Sequence, residues 1–199
     1  MTVIRQDDFI DSIADALQFI SYYHPVDFVK AVHEAYLREQ NPAARDAMAQ
    51  ILINSRMCAE GHRPICQDTG IVVVFLKIGM QVQWDATLSV SDMVNEGVRR
   101  AYTNPDNVLR ASILEDPAGA RRNTRDNTPA VIHMEVVPGD TVDVRVAAKG
   151  GGSENKSNLV MLNPSDSIVD WVVKTIPTMG AGWCPPGMLG IGIGGTAEK

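Results

Sequence analysis

Nowhere in this chain do about 18 apolar residues run together, so no membrane-spanning helix is expected. The opening Met1-Thr2-Val3-Ile4-Arg5-Gln6-Asp7-Asp8 lacks the apolar stretch of a secretory signal. Cysteine is scarce: three residues, an odd number, do not make a disulfide framework and fit a reducing, cytoplasmic compartment. In that compartment the sequon Asn155-Lys156-Ser157 directs no glycosylation. Large basic clusters are missing too. The densest group, Arg121, Arg122 and Arg125, is partly offset by Asp126, and the formal net charge is −6, so no nucleic-acid partner is expected. Net acidity does not bar a small anionic substrate, because a few local Arg or Lys side chains suffice.

What is present is the material of a globular domain. The chain has 199 residues, 45% of them hydrophobic, enough for one compact core. Phe9, Ile10, Ile13, Leu17 and Ile20 recur at helical spacing, and Pro25 and Pro42 stand where helices often begin. Three helices with short breaks are therefore predicted from residue 6 to about 58. Ile71 to Ile78 is β-branched and almost wholly apolar, a buried strand. Ser91-Asp92 reads as a helix start, and residues 103 to 129 as a long irregular segment of the kind that often carries function. Val131 to Val137, then Pro138-Gly139-Asp140, then Val142, Val144 and Val146 predict a β-hairpin. Ser165 opens a last helix with Ile168, Trp171, Val172 and Thr175. The expected class is α+β: N-terminal helices, then a mixed, largely antiparallel sheet packed with helices. The final Gly194-Gly195-Thr196-Ala197-Glu198-Lys199 looks like a glycine turn entering a helix, so a continuation beyond Lys199 is expected.

Three glycine-punctuated segments could carry chemistry. Cys66-Gln67-Asp68-Thr69-Gly70 places a soft metal ligand beside an amide and a carboxylate; the alternative is a buried cysteine next to a turn. Lys149-Gly150-Gly151-Gly152-Ser153-Glu154-Asn155-Lys156-Ser157 offers backbone N–H groups that an anion can approach without a Cβ in the way; the alternative is a flexible connection. It is not a P-loop, because Asn155 stands where the second glycine is required. Trp183-Cys184-Pro185-Pro186-Gly187 reads as a rigid turn presenting a thiol. Gly190, Gly192 and Gly195 satisfy the dinucleotide pattern only formally, since a Cys-Pro-Pro turn lies just before them. Cys58, His62 and Cys66 have a zinc-like spacing, but Gly61 and Pro64 interrupt the helix that would align them. Cys58 is expected to be a small buried residue, and His24, His33 and His133 to be structural.

Taken in order, several motifs resemble the class I fumarases and related tartrate dehydratases. They are Asn54-Ser55-Arg56, Cys66-Gln67-Asp68-Thr69-Gly70, Asn107-Val108-Leu109-Arg110, Asn127-Thr128-Pro129-Ala130, Ala148-Lys149-Gly150-Gly151-Gly152-Ser153-Glu154-Asn155-Lys156, Cys184-Pro185-Pro186-Gly187 and Ile193-Gly194-Gly195-Thr196-Ala197-Glu198-Lys199. The resemblance runs from about residue 54 to the end and is closest to bacterial single-chain enzymes. It implies that residues 1–199 are an N-terminal, alpha-subunit-like domain, with residues 1–60 a helical segment inside it and a C-terminal catalytic domain outside this sequence.

The resemblance further implies a [4Fe–4S] cluster with Cys66 and Cys184 as two of three thiolate ligands, the third lying beyond this chain. Cys58 matches no ligand position. Gln67 and Asp68 match catalytic residues set against the substrate hydroxyl, and Arg110 a carboxylate-binding arginine. Gly150, Gly151 and Gly152 would offer N–H groups to a substrate carboxylate. The implied activity is a hydro-lyase of the tricarboxylic acid cycle, a homodimer that reversibly hydrates fumarate to (S)-malate. Tartrate or mesaconate as substrate, or a non-enzymatic anion-binding module, are the alternatives. The chain alone is expected to be inactive.

Overall fold

The computed structural model describes residues 2–184 and 186–196, which form two compact units meeting at Lys149/Gly150. The first unit is built on two helices and a three-stranded sheet. Strand β1 (Val3–Arg5) leads into helix α1 (Gln6–Tyr22), followed by α2 (Val26–Arg38) and α3 (Pro42–Gly61). Then come β2 (Ile71–Gly79), β3 (Gln83–Asp85), α4 (Val90–Tyr102), the short pair β4 (Leu114–Glu115) and β5 (Arg122–Asn123), β6 (Val131–Val137) and β7 (Val142–Lys149).

The core follows from periodicity. α1 buries Phe9, Ile10, Ile13 and Leu17 along one face, and α4 buries Met93, Val94, Val98, Ala101 and Tyr102. Both lie on the inner face of β2, where Val72, Val74 and Leu76 alternate with outward Phe75 and Lys77. Full burial of side chains such as Ile10, Ile13 and Leu17 contributes roughly 1.5–3 kcal/mol each. α1 and α4 approach closely at Gly97, where a Cβ would lie 2.8 Å from the Ile10 carbonyl oxygen and 2.8 Å from Ile13 Cβ. Helix propensity favours alanine there by about 1 kcal/mol, but overlap with a neighbouring backbone outweighs it. Gly97→Ala is therefore expected to lower stability by about 1–2 kcal/mol, read as a lower urea midpoint with an unchanged slope.

The helix boundaries show why the sequence was readable at this end. Asn41 caps α3 by accepting from the N–H groups of Ala43 (3.0 Å) and Ala44 (3.4 Å), with Pro42 at the first position. Pro25 differs from the expectation: it occupies the cap, and the helix starts at Val26. Ser89, not Ser91-Asp92, caps α4. The short parallel pair β1–β3 had no sequence signal.

The predicted hairpin is corrected. β6 and β7 do not pair with each other; the sheet order is β6-β2-β7, with β6 parallel and β7 antiparallel to β2. The apolar β2 takes the centre because it has the deepest inner face to bury. Residues 138–141 then cross two strand spacings, about 9.5 Å, within the reach of four extended residues. They fold over the end of β2, where Gly79 N–H donates to Thr141 O, Met80 N–H to Val137 O and Gln81 N–H to Gly139 O, each at 2.9 Å. Gly79 permits the crossing, since a Cβ there would sit 2.5 Å from Gly139 O. The class remains α+β with mixed pairing.

The second unit, described by itself, carries α5 (Gly151–Glu154), α6 (Ile168–Thr175) and a 3-10 turn at Ile176–Met179. Ser167 caps α6 through Asp170 N–H, in place of the expected start at Ser165. The expected helix opening at Ala197-Glu198-Lys199 lies outside the described residues.

Candidate active site

The Cys66–Gly70 segment hangs between two anchors. At its entry, Ile65 N–H donates to Ser21 O (2.8 Å) and Asn54 Nδ2 donates to Ile65 O (2.9 Å). The Asn54-Ser55-Arg56 motif therefore has a structural role. Asn54 holds the loop, while buried Ser55 bonds His24 Nδ1 at 3.0 Å. Burial lowers the pKa of His24 below its ordinary 6.5. A depressed histidine pKa means that the unfolded chain binds the extra proton first, so this contribution to stability is full above about pH 6.5 and is lost as pH falls through the lower, folded value. His24→Gln is expected to flatten the fall in urea midpoint between pH 7.5 and 5, by an amount small beside total stability because the ring is half-exposed.

At its exit the loop is pinned from several sides. Gly70 is buried with φ +88°, and a Cβ on it would lie 2.7 Å from the Ala148 carbonyl carbon of β7. The Tyr102 hydroxyl lies 2.7 Å from Thr69 O and 3.2 Å from Gly70 O, a shared hydrogen bond. Burial, with help from the nearby Asp68 charge, pushes the Tyr102 phenol up to about 12, so it stays a donor throughout the physiological range. Asn127 Nδ2 donates to Gly70 O at 3.0 Å. The Thr69 hydroxyl donates to Arg110 O and accepts from Arg110 N–H, both at 2.9 Å.

Between these anchors the tip is open to solvent. The Cys66 thiol is exposed; it donates to Gln67 Oε1 (3.2 Å) and accepts the Asp68 N–H (3.4 Å). Asp68 Oδ1 accepts the Gly70 N–H at 3.2 Å, shaping the turn. Leu109 is buried and Arg110 exposed, so the buried neighbour presents Arg110 at the surface. No ion pair engages its guanidinium among the described residues. The structure thus brings together Cys66, Gln67, Asp68 and the Arg110 backbone.

The second unit holds the other expected residues. Cys184 is exposed with φ +59°, and its N–H donates to Ala181 O at 3.1 Å; Pro185 lies outside the described residues. The triple glycine is not a flexible connection. Gly151 and Gly152 open the single turn of α5, with Glu154 N–H donating to Gly150 O at 2.9 Å. Gly152 is required for packing, because a Cβ would meet Gly182 O at 2.5 Å.

Cys58 is buried, with Asn54 Oδ1 at 3.6 Å and Pro64 O at 3.7 Å from its sulfur, and burial pushes its thiol pKa up. His62 closes α3 in a left-handed conformation and stacks on Tyr22 at 4.6 Å. Among the described residues no three His, Cys, Asp or Glu side chains converge on a metal site, which leaves the zinc reading without support. Tyr102 and Ser112 carry no motif that marks them in the sequence, and Thr69 and Asn127 stand out only inside longer motifs. Tyr102 falls on the apolar stripe of α4, where a tyrosine needs a partner for its hydroxyl, and that was the available signal.

A family model described as Fumarate hydratase (Fumerase) matches residues 10–199. This chain belongs to that family. Among its relatives in the fumarase family, a protein named putative L(+)-tartrate dehydratase subunit alpha from Methanocaldococcus jannaschii is 32% identical over 94% of this chain and 67% of its own length. An Escherichia coli K12 protein named Fumarate hydratase class I, anaerobic, is 33% identical over 75% of this chain but only 28% of its own length. An L(+)-tartrate dehydratase subunit alpha from Escherichia coli UTI89 is 25% identical over 94% of this chain and 62% of its own length. The chain therefore spans between about a quarter and two thirds of these fumarase-family relatives.

Taken unit by unit, two of the three cysteines have the donor chemistry of soft-metal ligands. Cys66 and Cys184 are exposed thiols, and Cys66 Sγ accepts the Asp68 N–H at 3.4 Å. Cys58 does not fit, being buried with a raised pKa.

Proposed function

We propose that this chain is part of a hydro-lyase that reversibly adds water to fumarate to give (S)-malate. The observation that carries it is the Cys66-Gln67-Asp68 tip, with Cys66 and Gln67 exposed, tied to Arg110 through Thr69, in a chain of the fumarase family. Cys66 and Cys184 would hold a [4Fe–4S] cluster, with a third thiolate from outside this sequence. Such a cluster, when bound, supplies a Lewis acid at its open iron.

The chain's own residues do the rest. The Arg110 guanidinium binds one substrate carboxylate, ideally by two parallel hydrogen bonds. Gln67 and Asp68 orient the substrate hydroxyl, with Asp68 accepting its hydrogen bond. The N–H groups at Gly150, Gly151 and Gly152 are assigned to the second carboxylate, and Gly152 serves packing as well. The enzyme is proposed to be a cytoplasmic homodimer, inactive when reduced to residues 1–199.

A second reading has its own support: the match to the tartrate dehydratase alpha subunits covers 94% of this chain, against 75% for the fumarate hydratases. The deciding experiment is anaerobic purification of the complete enzyme, iron and sulfide counts, and turnover of malate, L(+)-tartrate and mesaconate side by side. About four irons and four sulfides per cluster with malate turnover supports the first reading. Preference for tartrate moves the assignment within the family. A protein without iron after reconstitution, and without turnover, sinks both in favour of an anion-binding module.

A further inference from the structure

Asn127 is fully buried and has a left-handed backbone, φ +62°. A non-glycine residue in that conformation is uncommon, although asparagine tolerates it better than most. Its amide satisfies two backbone groups at once. Oδ1 accepts the Ser112 N–H at 2.8 Å, and Nδ2 donates to Gly70 O at 3.0 Å. These bonds fix which end of the amide is oxygen. One buried side chain thus joins the Cys66–Gly70 loop to the segment that follows Arg110.

Two other sets of hydrogen bonds reinforce this link. Thr69 and Arg110 exchange hydrogen bonds at 2.9 Å, and the Tyr102 phenol holds the Thr69 and Gly70 carbonyls from α4. Asn127 is itself braced. Its neighbour Asp126 accepts from Arg99 Nε of α4 at 3.0 Å and from the Thr128 N–H at 3.1 Å. Burial opposes the charge on Asp126, but those bonds hold its carboxyl below the ordinary value. The anchor is therefore rigid where the loop leaves the core, while Cys66 and Gln67 at the tip are exposed and Asp68 is half-buried.

We infer that Asn127, assisted by Tyr102, is the positioning residue that sets the register between the Cys66–Asp68 tip and Arg110. Being fully buried, it acts through its bonds to Gly70 and Ser112. The inference rests on the proposed roles of Cys66 and Arg110, but its test does not require an active enzyme.

The probe is a pair of alkylating reagents of similar size and different charge, iodoacetate and iodoacetamide, acting on Cys66. They are applied to the 199-residue chain with Cys58→Ala and Cys184→Ser in place. On this inference the Arg110 guanidinium is held near Cys66, where it would speed the anionic reagent relative to the neutral one by about threefold for a solvent-exposed charge. Arg110→Gln should remove that preference and set the floor. Asn127→Ala and Tyr102→Phe should fall toward the same floor while circular dichroism and cooperative unfolding stay native. Where Asn127→Ala does not fold, Tyr102→Phe decides, because it deletes one oxygen and leaves the ring packed. In the complete enzyme the same two variants should raise KM by about tenfold with a smaller fall in kcat, as expected when a carboxylate clamp drifts.

A reagent ratio that is insensitive to Arg110→Gln overturns the inference, as does a wild-type ratio in the folded Tyr102→Phe chain. Loss of the ratio in the variants, in a protein whose complete form turns over no dicarboxylate, would leave the positioning role standing and remove only the hydro-lyase reading.

Discussion

Turnover by the complete enzyme is expected to fall by about a thousandfold or more when Cys66 or Cys184 is changed to serine, the scale of several kcal/mol of Lewis-acid stabilisation. Cys58→Ala should keep most of the activity. The contrast comes from the three environments. Cys66 and Cys184 are exposed, so each sulfur can be reached by a soft metal, and Cys66 Sγ also accepts the Asp68 N–H. Cys58 is buried against Asn54 and Pro64, and desolvation raises its pKa, which opposes ligation. Serine at either exposed position keeps the shape but offers a hard oxygen in place of sulfur. The measurement is kcat with iron and sulfide counts on anaerobically purified variants. Equal losses from all three cysteines would contradict the assignment, since a merely structural thiol and a ligand would then behave alike. Full activity in either exposed-site variant would remove that cysteine from the ligand set.

The sequence was most legible where one side-chain period decides the outcome. α1, α3 and β2 followed from apolar spacing and a proline, because each buries a single face whose period is fixed by its own geometry. Strand existence at Val131 and Val142 was equally legible, but partner choice was not. A period of two says which side chains face inward; it does not say whether the neighbour is the next strand or an earlier one. Pro138-Gly139-Asp140 suits a tight turn and a crossing over Gly79 alike, and only the claim of β2 to the centre separates them.

The site shows the same division. Cys66, Gln67, Asp68 and Arg110 were named from motifs, and the structure gathers the first three into one tip linked to the Arg110 backbone. Of the anchors beneath them, Tyr102 lies in no motif and Asn127 only inside a longer one, with no role read for it. Tyr102 and Asn127 act through backbone carbonyls and one backbone N–H, and a bond to a backbone group leaves no complementary residue in the sequence to search for. The triple glycine illustrates the converse. Its composition advertises freedom, yet Gly152 is fixed by contact with Gly182 and the segment forms a helical turn.

Gly70 carries the other large effect, because a single Cβ there strikes the backbone that the site hangs from. With φ +88° an L side chain is strained whatever the space, and the added carbon would lie 2.7 Å from Ala148 C and 2.9 Å from Lys149 N. Neither can move without shifting β7, whose Lys149 pairs with Ile71 at the start of β2. Left-handed strain costs about 1–2 kcal/mol, and overpacking against rigid backbone about 1–3 kcal/mol more. Gly70→Ala should therefore lose roughly 2–5 kcal/mol of stability, a large part of what a domain of this size has. Relief comes most easily by moving the loop, because its tip is exposed while β7 is in the sheet. That motion would break the bonds from Tyr102 and Asn127 to the Thr69 and Gly70 carbonyls. The variant should accordingly lose activity even where it stays folded, at low temperature or in a stabilising osmolyte. Urea midpoints and turnover measured on the same preparation separate the two effects. A variant with wild-type midpoint would mean that β7 yields freely, and one with a lowered midpoint but wild-type kcat and KM would mean that Gly70 serves the sheet alone and not the site.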